Sequence, residues 1–539
     1  MKRSVVAMVC LALLLAAVQA AAQGKTSGTI RGAVVDPDGA VLPGVTVRAM
    51  SDVLVSGQAV AITSGNGSYR FPSLPPGLYS IEVDLPGFRS VRRDDLRVGL
   101  GQDLEVDFQL GDIEVSEEIV VVAEAMQVST VSNAAAFNMS QDFIDRQPLA
   151  RDPTDLMNYA PGIENDQAYG APSTYQNAYN FDGVDVSDAE IGSQWVLPSM
   201  DWVEEVQVAG LGADAEYGGF TGAVVNLVTK SGGNTFHGDV RTYYSGGDLN
   251  SDNAPEGVEG TNKVDSYLDI SASVGGPIAR DKVWYFVSGN WNEEAIEPFF
   301  SADAPADDRE MNTETRTTVM GKITWQVNQS NRVVVMADYD GKEEDYRGIG
   351  NFTLASGSFR QDSPSYLANL SWESLVNDHN FLTAKVTGYR GSDDRFPYNG
   401  DAQNHYDAGN SGFDWFNYFR TSLKDVERTT LDASWSLFVD GLLGSTDSHN
   451  FKFGVVYEEL GLDWDTTTTG GFWYYDDSYY CDSLEAYFSD PFCGIFSSTF
   501  GGEWNLHGDM DGLHFFAQDA WKIGRFAVNA GVRYTAYTG

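Results

Sequence analysis

Several segments in the C-terminal half of the chain alternate strictly between apolar and polar residues, and this alternation restricts the fold more than any other feature. Two segments show it clearly, 451–458 and 526–535. The apolar sets are Phe451, Phe453, Val455 and Tyr457 in the first, and Phe526, Val528, Ala530, Val532 and Tyr534 in the second. The opposite sets are Lys452, Gly454 and Glu458, and Asn529, Gly531, Arg533 and Thr535. Because strand side chains point alternately to opposite faces, each segment predicts a strand with one apolar and one polar face.

A soluble β-sandwich would show the same alternation of side chains as a membrane barrel. The lengths of the connections between the predicted strands distinguish the two folds. Predicted strands of about ten residues recur from Phe236 to Tyr534, about eleven in all. Short turns are predicted near 278–281, 328–331, 376–379 and 524–525. Long loops are predicted near 246–262, 294–312, 341–364, 391–426 and 461–510. Alternating short and long connections place all long loops on one rim, as in antiparallel transmembrane β-barrels.

The charge of the chain argues against nucleic-acid binding, and its first residues predict export. The chain has 34 basic and 77 acidic side chains, a formal net charge of -43, which would repel the phosphates of nucleic acid. Lys2 and Arg3 precede an apolar run and a small-residue site at 20–22, which predicts a signal peptide over residues 1–22. Beyond it, no stretch of eighteen residues is apolar enough to predict a membrane helix.

No pattern in the sequence predicts catalysis. The six histidines fall in no metal-binding spacing, and neither a nucleophile elbow nor a phosphate-binding loop is present. We therefore predict no catalytic residue, no metal site and no cofactor, and a protein that is not an enzyme. Cys481 and Cys493 are close together in a predicted external loop, where an exported protein is expected to pair them, with two free thiols as the alternative.

Residues 27–111 form a series of short alternating segments with turn residues between them. About seven strands at this spacing predict a small β-sandwich. The words Gly-x-Val-x-Asp-x-x-Gly, from Gly32, and Gly-x-Tyr-x-Phe, from Gly67, resemble the carboxypeptidase regulatory-like domain, which has a transthyretin-like fold. The resemblance implies no peptidase activity, and carbohydrate binding is implied only by analogy with starch-binding modules.

The linker 112–125 contains a short motif in which acidic residues precede β-branched residues. It resembles the TonB box, the extended segment by which outer-membrane receptors engage their energy transducer, and such a segment can add to the edge of a partner's sheet. The alternative is a strand that merely joins two domains. The residues concerned are Glu117, Glu118, Ile119, Val120, Val121, Val122 and Ala123.

Residues 126–234 predict a small α+β domain. Capped helices are expected over 140–146 and 152–159, and strands over 181–186 and 202–208. A glycine-flanked segment, 223–229, predicts a buried strand. Together these segments resemble the plug of a TonB-dependent receptor of the Oar-like branch. The residues of the plug motif are Asp182, Gly183, Val184, Tyr217, Gly218, Gly219, Gly222, Asn226, Thr229 and Lys230. Ala209-Gly-Leu-Gly212 replaces the Arg-Gly-Pro of siderophore receptors, which puts siderophore specificity in doubt.

The resemblance implies a mainly β protein with an N-terminal β-sandwich, a small α+β plug and an antiparallel transmembrane β-barrel over 235–539. Barrels of this family have 22 strands, so we expect the sequence to include only the first half of the barrel wall, which is called the wall below. The implied partners are a TonB-type energy transducer, outer-membrane lipid and an unidentified extracellular ligand, in a monomeric barrel of the bacterial outer membrane with a periplasmic N-terminal domain. The alternative is a surface-binding or adhesion protein without transport.

Overall fold

The structure is a computed structural model of the chain. It describes residues 26–54, 57–111, 119–122, 136–147, 153–164, 167–168, 176–188, 199–210, 212–249, 262–300, 308–350, 353–377, 379–400, 404–407, 414–415, 418, 420–442, 447–469, 473–476, 496–499, 502–523 and 526–539. Among these residues, no helix has the length and apolar character that crossing a bilayer requires.

The N-terminal segment folds as a two-sheet β-sandwich. Its strands are β1 (Gly28–Val35), β2 (Thr46–Met50), β3 (Gln58–Ile62), β4 (Ser68–Leu74), β5 (Gly77–Asp84), β6 (Val91–Val98), β7 (Asp103–Glu105) and β8 (Phe108–Gln109). One sheet has the order β4-β1-β7, with β8 also on β1. The other has the order β3-β2-β5-β6-β9, where β9 is Ile119–Val122. Alternate apolar residues such as Val47, Phe71 and Ile81 are buried between the sheets, as the sequence pattern predicts.

The next domain is built on a five-stranded sheet in the order β10-β15-β16-β13-β14. Its elements are β10 (Ala136–Ser140), α1 (Gln141–Asp145), a 3₁₀ helix (Pro153–Tyr159), β11 (Ile163–Glu164), β12 (Gln167–Ala168), β13 (Ala178–Phe181), β14 (Val184–Asp185), a 3₁₀ helix (Met200–Trp202), β15 (Val203–Ala209) and β16 (Val224–Thr229). All six residues of β16 are buried, which confirms the prediction of a buried strand there. The Ser140 hydroxyl caps α1 by accepting a hydrogen bond from Phe143 N at 3.4 Å.

The prediction of one continuous strand over 181–186 is wrong. The chain reverses at Asp182 and Gly183, whose φ angles of 47° and 73° are both in the left-handed region. Two successive left-handed residues make the tight turn that Asp-Gly favours, so β13 and β14 form a hairpin. The turn thus places the Asp182 side chain at one end of the sheet.

Eleven of the remaining strands form one antiparallel sheet in which successive members pair, which confirms the predicted eleven-stranded wall. They are β17 (His237–Gly246), β18 (Lys263–Ala279), β19 (Val283–Glu297), β20 (Asn312–Asn328), β21 (Asn331–Arg347), β22 (Phe359–Asn377), β23 (Asn380–Pro397), β26 (Arg420–Asp440), β27 (Asp447–Thr468), β30 (Glu503–Ile523) and β31 (Phe526–Thr538). Within the described part of the chain, β17 and β31 each pair with one neighbour, so the sheet is open.

Most wall strands are longer than the ten residues predicted. Strands β26 and β27 have 21 and 22 residues, and they continue into segments that the sequence assigned to loops. Backbone pairing continues beyond the band that lipid covers, because it needs no apolar side chains. Four short strands from two long connections form a separate sheet: β24 (Asn404–Asp407), β25 (Asp414–Trp415), β28 (Trp473–Asp476) and β29 (Phe496–Thr499). Two further 3₁₀ helices span Gly247–Leu249 and Ala355–Gly357.

The two faces of the wall differ as the alternation predicts. The outer face exposes a band of large apolar side chains: Val240, Tyr244, Ile270, Val287, Val319, Ile323, Trp325, Val335, Tyr366, Leu370, Trp372, Val386, Leu513, Phe515, Val528, Val532 and Tyr534. The inner face buries polar side chains, including Asn290, Thr318 and Asn369, together with a few apolar ones. Exposed apolar side chains on one face and buried polar ones on the other are what a lipid-facing sheet requires.

Candidate functional site: the contact between plug and wall

The second domain, residues 136–229, is called the plug below after its predicted role. Its hairpin turn contacts a buried lysine of the eleven-stranded sheet, the wall. The Asp182 carboxylate accepts hydrogen bonds from Thr229 N at 3.0 Å and from Thr229 Oγ1 at 2.6 Å. Lys322 on β20 donates to Asp182 Oδ2 at 3.1 Å and to Thr229 Oγ1 at 2.9 Å. All three side chains are buried, so the Asp-Gly turn and the end of β16 are tied together and to the wall.

Three more cations on neighbouring strands contact the same region of the plug. Lys385 on β23 donates to the Asp182 carbonyl at 2.8 Å and to the Gly183 carbonyl at 3.3 Å. On β26, Lys424 Nζ lies 3.2 Å from Asp188 Oδ2, and Arg428 Nη1 lies 2.9 Å from Asp185 Oδ2. The hairpin is therefore contacted by basic side chains from three strands of the wall, β20, β23 and β26.

The glycine-rich part of the plug motif makes a second group of contacts. The Glu216 carboxylate pairs with Lys452 on β27, and the Glu216 carbonyl accepts from Arg533 Nη1 at 2.7 Å on β31. Gly218 is next to the same guanidinium, where an added Cβ would lie 2.5 Å from Arg533 Nε. The sequence had placed Lys452 and Arg533 on the polar face, and both side chains do reach the plug.

The other residues of the motif lie inside the plug. Asn226 is buried and donates to Tyr217 Oη at 2.9 Å and to Gln207 Oε1 at 3.2 Å. Val184 packs in the apolar core, Gly219 has φ of 74°, and the amide of Gly222 donates to the Gln176 carbonyl at 2.9 Å. Lys230 Nζ donates to the Asp201 carbonyl at 2.6 Å where the chain leaves the plug. The motif residues thus divide into those that contact the wall and those that support them.

Six basic side chains of the wall converge on the plug, although the chain as a whole is strongly acidic. They are Lys322, Lys385, Lys424, Arg428, Lys452 and Arg533. Their partners are carboxylates and main-chain carbonyls of the plug, so the attraction is directional and polar. Such contacts can be exchanged for contacts with water, whereas a tightly packed apolar interface offers no such replacement. An apolar patch of Phe286, Met320, Met336, Leu367 and Tyr389 on the wall supplements them.

The sandwich contacts both the plug and the wall. The buried Glu205 carboxylate of β15 accepts from Leu100 N of the sandwich and from Asn138 Nδ2 of β10, each at 2.6 Å. Burial raises the pKa of Glu205, while these hydrogen bonds and the nearby Arg97 lower it. Arg70 Nη2 lies 3.5 Å from Oδ1 of Asp440, the last residue of β26, and Lys522 of the wall pairs with Glu105 of the sandwich. The sandwich is thus held by contacts with the plug and with the wall.

The TonB-box candidate is described only in part. Ile119, Val120, Val121 and Val122 form β9, which pairs in parallel with β6 of the sandwich. Glu117, Glu118 and Ala123 lie outside the described residues, as do the predicted signal peptide, 1–22, and the predicted disulfide partners Cys481 and Cys493. In the described ranges, no three His, Cys, Asp or Glu side chains converge to hold a metal ion.

Sequence reasoning did not single out Lys322, Lys385, Lys424 or Arg428 as functional residues, nor the plug partners Asp185, Asp188 and Glu216. Each wall cation occupies an inward position of an alternating strand, where a basic residue in a strongly acidic chain is an available signal. The pairing itself joins residues 140 to 317 positions apart, which no local pattern can reveal.

Two family models match parts of the chain: the carboxypeptidase regulatory-like domain over residues 29–111 and an outer membrane beta barrel domain over residues 228–310. The TonB-dependent transporter Oar of Myxococcus xanthus is 29% identical over 349 residues, which are 57% of this chain and 33% of Oar. A probable TonB-dependent siderophore receptor, PirA of Acinetobacter baumannii, is 26% identical over 178 residues, 31% of this chain and 20% of PirA.

Solved structures support the same fold. The outer membrane transporter YddB from Escherichia coli superposes with a TM-score of 0.54 at 16% identity, covering 75% of this chain and 56% of that one. The chain spans about a third of the length of Oar and just over half the length of YddB. The similarity to YddB shows the fold. The chain is thus a homologue of the TonB-dependent transporter Oar, and it contains a carboxypeptidase regulatory-like domain followed by outer-membrane β-barrel sequence.

Proposed function

We propose that the protein is an energy-coupled outer-membrane receptor, in which a TonB-type transducer pulls on segment 117–123 and displaces the plug so that a bound ligand passes. The observation that carries the proposal is the polar contact between plug and wall, in which the acidic plug residues Asp182, Asp188 and Glu216 meet wall lysines. A plug that must move needs contacts that water can replace.

The chain order supports this coupling. Strand β9 precedes the plug directly, so a force applied to it is transmitted along the chain to β10 and the plug sheet. A four-residue segment rich in Val and Ile has the extended preference that addition to a partner's sheet requires. Energy must come from the partner, since the sequence contains no nucleotide-binding loop.

The ligand is proposed to be a nutrient of one of three classes: a chelated metal such as a ferric siderophore, an oligosaccharide or a peptide. PirA is named a probable siderophore receptor, which favours testing ferric siderophores first. The absence of Arg-Gly-Pro at Ala209–Gly212 is the reason to keep oligosaccharides and peptides in the same panel.

Uptake by cells that produce the full-length protein tests the proposal. Accumulation of ⁵⁵Fe-labelled siderophores, fluorescent oligosaccharides and labelled peptides is measured with and without a protonophore, and with and without residues 117–123. We expect accumulation of one class to require both the proton gradient and the segment. Binding to the cell surface that persists without either, with no accumulation, would instead support the adhesion alternative.

A further inference from the structure

The TonB-box candidate is paired with the protein's own sandwich. In the parallel ladder between β6 and β9, Val91 is opposite Ile119 and Asp94 is opposite Val122. Strand β9 lies at the end of its sheet and covers an edge of β6 whose backbone groups would otherwise lack strand partners. The sandwich therefore acts on this segment as a strand-binding module.

The length of this edge is set by a bulge. In the ladder between β5 and β6, Tyr79 is opposite Leu96 and Ile81 is opposite Arg93, so two residues of β6 face Ser80 alone. One of the two, Asp95, has φ of 60°. Such a bulge bends the strand and ends regular pairing on its outer edge. The straight part of the edge, Val91–Asp94, has the same four-residue length as β9.

The sandwich that holds β9 is anchored on both sides. Its turn at Leu100 donates to Glu205 of the plug, and Asn138 and Gln207 of the plug donate to the Leu100 carbonyl. Arg31 donates to Ser448 of the wall at 2.7 Å. The Arg70 guanidinium lies 4.5 Å from the centre of the Phe438 ring, close to its partner Asp440. A load on the docked β9 would pass into the sandwich, whose contacts with the wall through Arg31 and Arg70 oppose its movement.

We propose that the edge Val91–Asp94 is a docking site for Ile119–Val122, and that β9 must leave this site before a pulling partner can load the plug. With β9 docked, the sandwich blocks energy coupling, and we call this block the lock. The lock depends on the proposed function, whereas the docking of β9 on the sandwich does not. While β9 is docked, force reaches the wall through the sandwich, and once it is released, force reaches the plug through the chain that leads to β10.

Disulfide trapping in the full-length protein tests this, in a C481S/C493S background. The pair R92C/V120C joins residues that are directly opposite in the ladder, whereas the control Q58C/V120C places the first cysteine on β3, at the other edge of the same sheet. We expect at least tenfold more disulfide in the first pair. Equal, low yields in the two pairs would overturn the docking site.

A third cysteine reports plug movement. Ala223 is fully buried in the plug, so A223C is expected to react with a maleimide only when the plug is displaced. We expect labelling in energised cells to fall at least tenfold when R92C/V120C is oxidised and to return after dithiothreitol. Unchanged labelling in the oxidised protein would overturn the lock. If A223C reacts in no state while the disulfide still forms, the docking site stands and the proposed energy coupling fails.

Discussion

Lys424 of the wall and Asp188 of the plug form an ion pair with 3.2 Å between Nζ and Oδ2, and their side chains are only 8% and 1% exposed. Burying two charges is costly, and a pair repays this cost only when both partners remain in place. The pair therefore fixes where the plug rests against β26 while adding little net stability. The same reasoning applies to Lys322 with Asp182 and to Lys452 with Glu216.

Removing one member of this pair should loosen the plug. K424M leaves the Asp188 carboxylate buried without its lysine, and we expect the plug's opening free energy to fall by about 3–5 kcal/mol. Hydrogen exchange of the β16 amides measures that free energy. The control R390M breaks the exposed pair between Arg390 and Asp425, 3.9 Å apart, and should change it by less than about 1 kcal/mol. Partial recovery in K424M/D188L would identify the uncompensated charge as the cause, and no loss in K424M would contradict it.

The Thr229 hydroxyl links the plug turn to the wall, because it donates to Asp182 and accepts from Lys322. T229V keeps the shape of the side chain but leaves both buried charges with one hydrogen bond fewer. We expect a loss of about 1–3 kcal/mol in the same exchange measurement. T229S keeps the hydroxyl and is the matched control, with a smaller loss expected. Equal losses in the two variants would show that the methyl group matters more than the hydrogen bonds.

Two adjacent glycines where the plug joins the wall should respond differently to alanine. A Cβ on Gly232 would lie 2.1 Å from the Tyr285 carbonyl oxygen of β19, whereas a Cβ on Gly233 would have no atom closer than the Asp52 carbonyl at 3.9 Å. Because a strand backbone cannot move aside like a flexible side chain, we expect G232A to destabilise the folded protein by about 1–3 kcal/mol. Thermal unfolding in detergent measures this, and G233A should remain near wild type. A reversed order would contradict the close approach.

The parts of the fold set by side-chain alternation were predictable from sequence. Period-two patterns such as Phe526–Tyr534 determine which face of a strand meets lipid, and the glycine-flanked apolar run at β16 determines a buried strand. The hairpin at Asp182 was missed even though Asp-Gly is a strong turn signal and Val184 is out of phase with the apolar alternation that ends at Phe181. The segment after the turn, β14, has only two residues and is too short to show an alternation of its own. Strand lengths were missed because backbone pairing continues where the outward side chains are polar, as at Asp463 and Asp465 of β27.

The candidate site was only half predictable for a different reason. Asp182 and Thr229 lie within a recognisable sequence motif, so sequence identified part of the plug side of the contact, but Asp185, Asp188 and Glu216 were not singled out. The wall side depends on which strand stands opposite each plug residue. That is fixed by how the plug docks against the folded wall and not by neighbours in sequence. The docking of Leu100 on Glu205 is likewise a contact between two folded units, 105 residues apart.

The contact between sandwich and plug should depend on pH. Burial raises the pKa of Glu205 and also that of its neighbour Glu204 above the usual range of glutamate. A carboxyl whose pKa is raised on docking binds its proton more tightly in the docked state. Docking is therefore strongest below the ordinary glutamate pKa and weakens as the pH rises through the raised values. Arg97, which lies 3.6 Å from Glu205, opposes this trend without reversing it.

Protection of the Leu100 amide, which donates to Glu205 Oε1, reports this docking directly. After correction for the intrinsic exchange rate, we expect its protection to fall between pH 5 and pH 8 in the wild-type protein. E205Q removes the buried charge but keeps an acceptor oxygen, so protection of the Leu100 amide at pH 8 should equal or exceed that of the wild type. The smaller dependence of protection on pH that remains in E205Q should disappear in E204Q/E205Q. The control E82Q changes a half-exposed carboxylate of the same sandwich and should keep the wild-type profile. Protection that rises with pH in the wild type would mean that ionised Glu205, held by Arg97, is the form that stabilises docking.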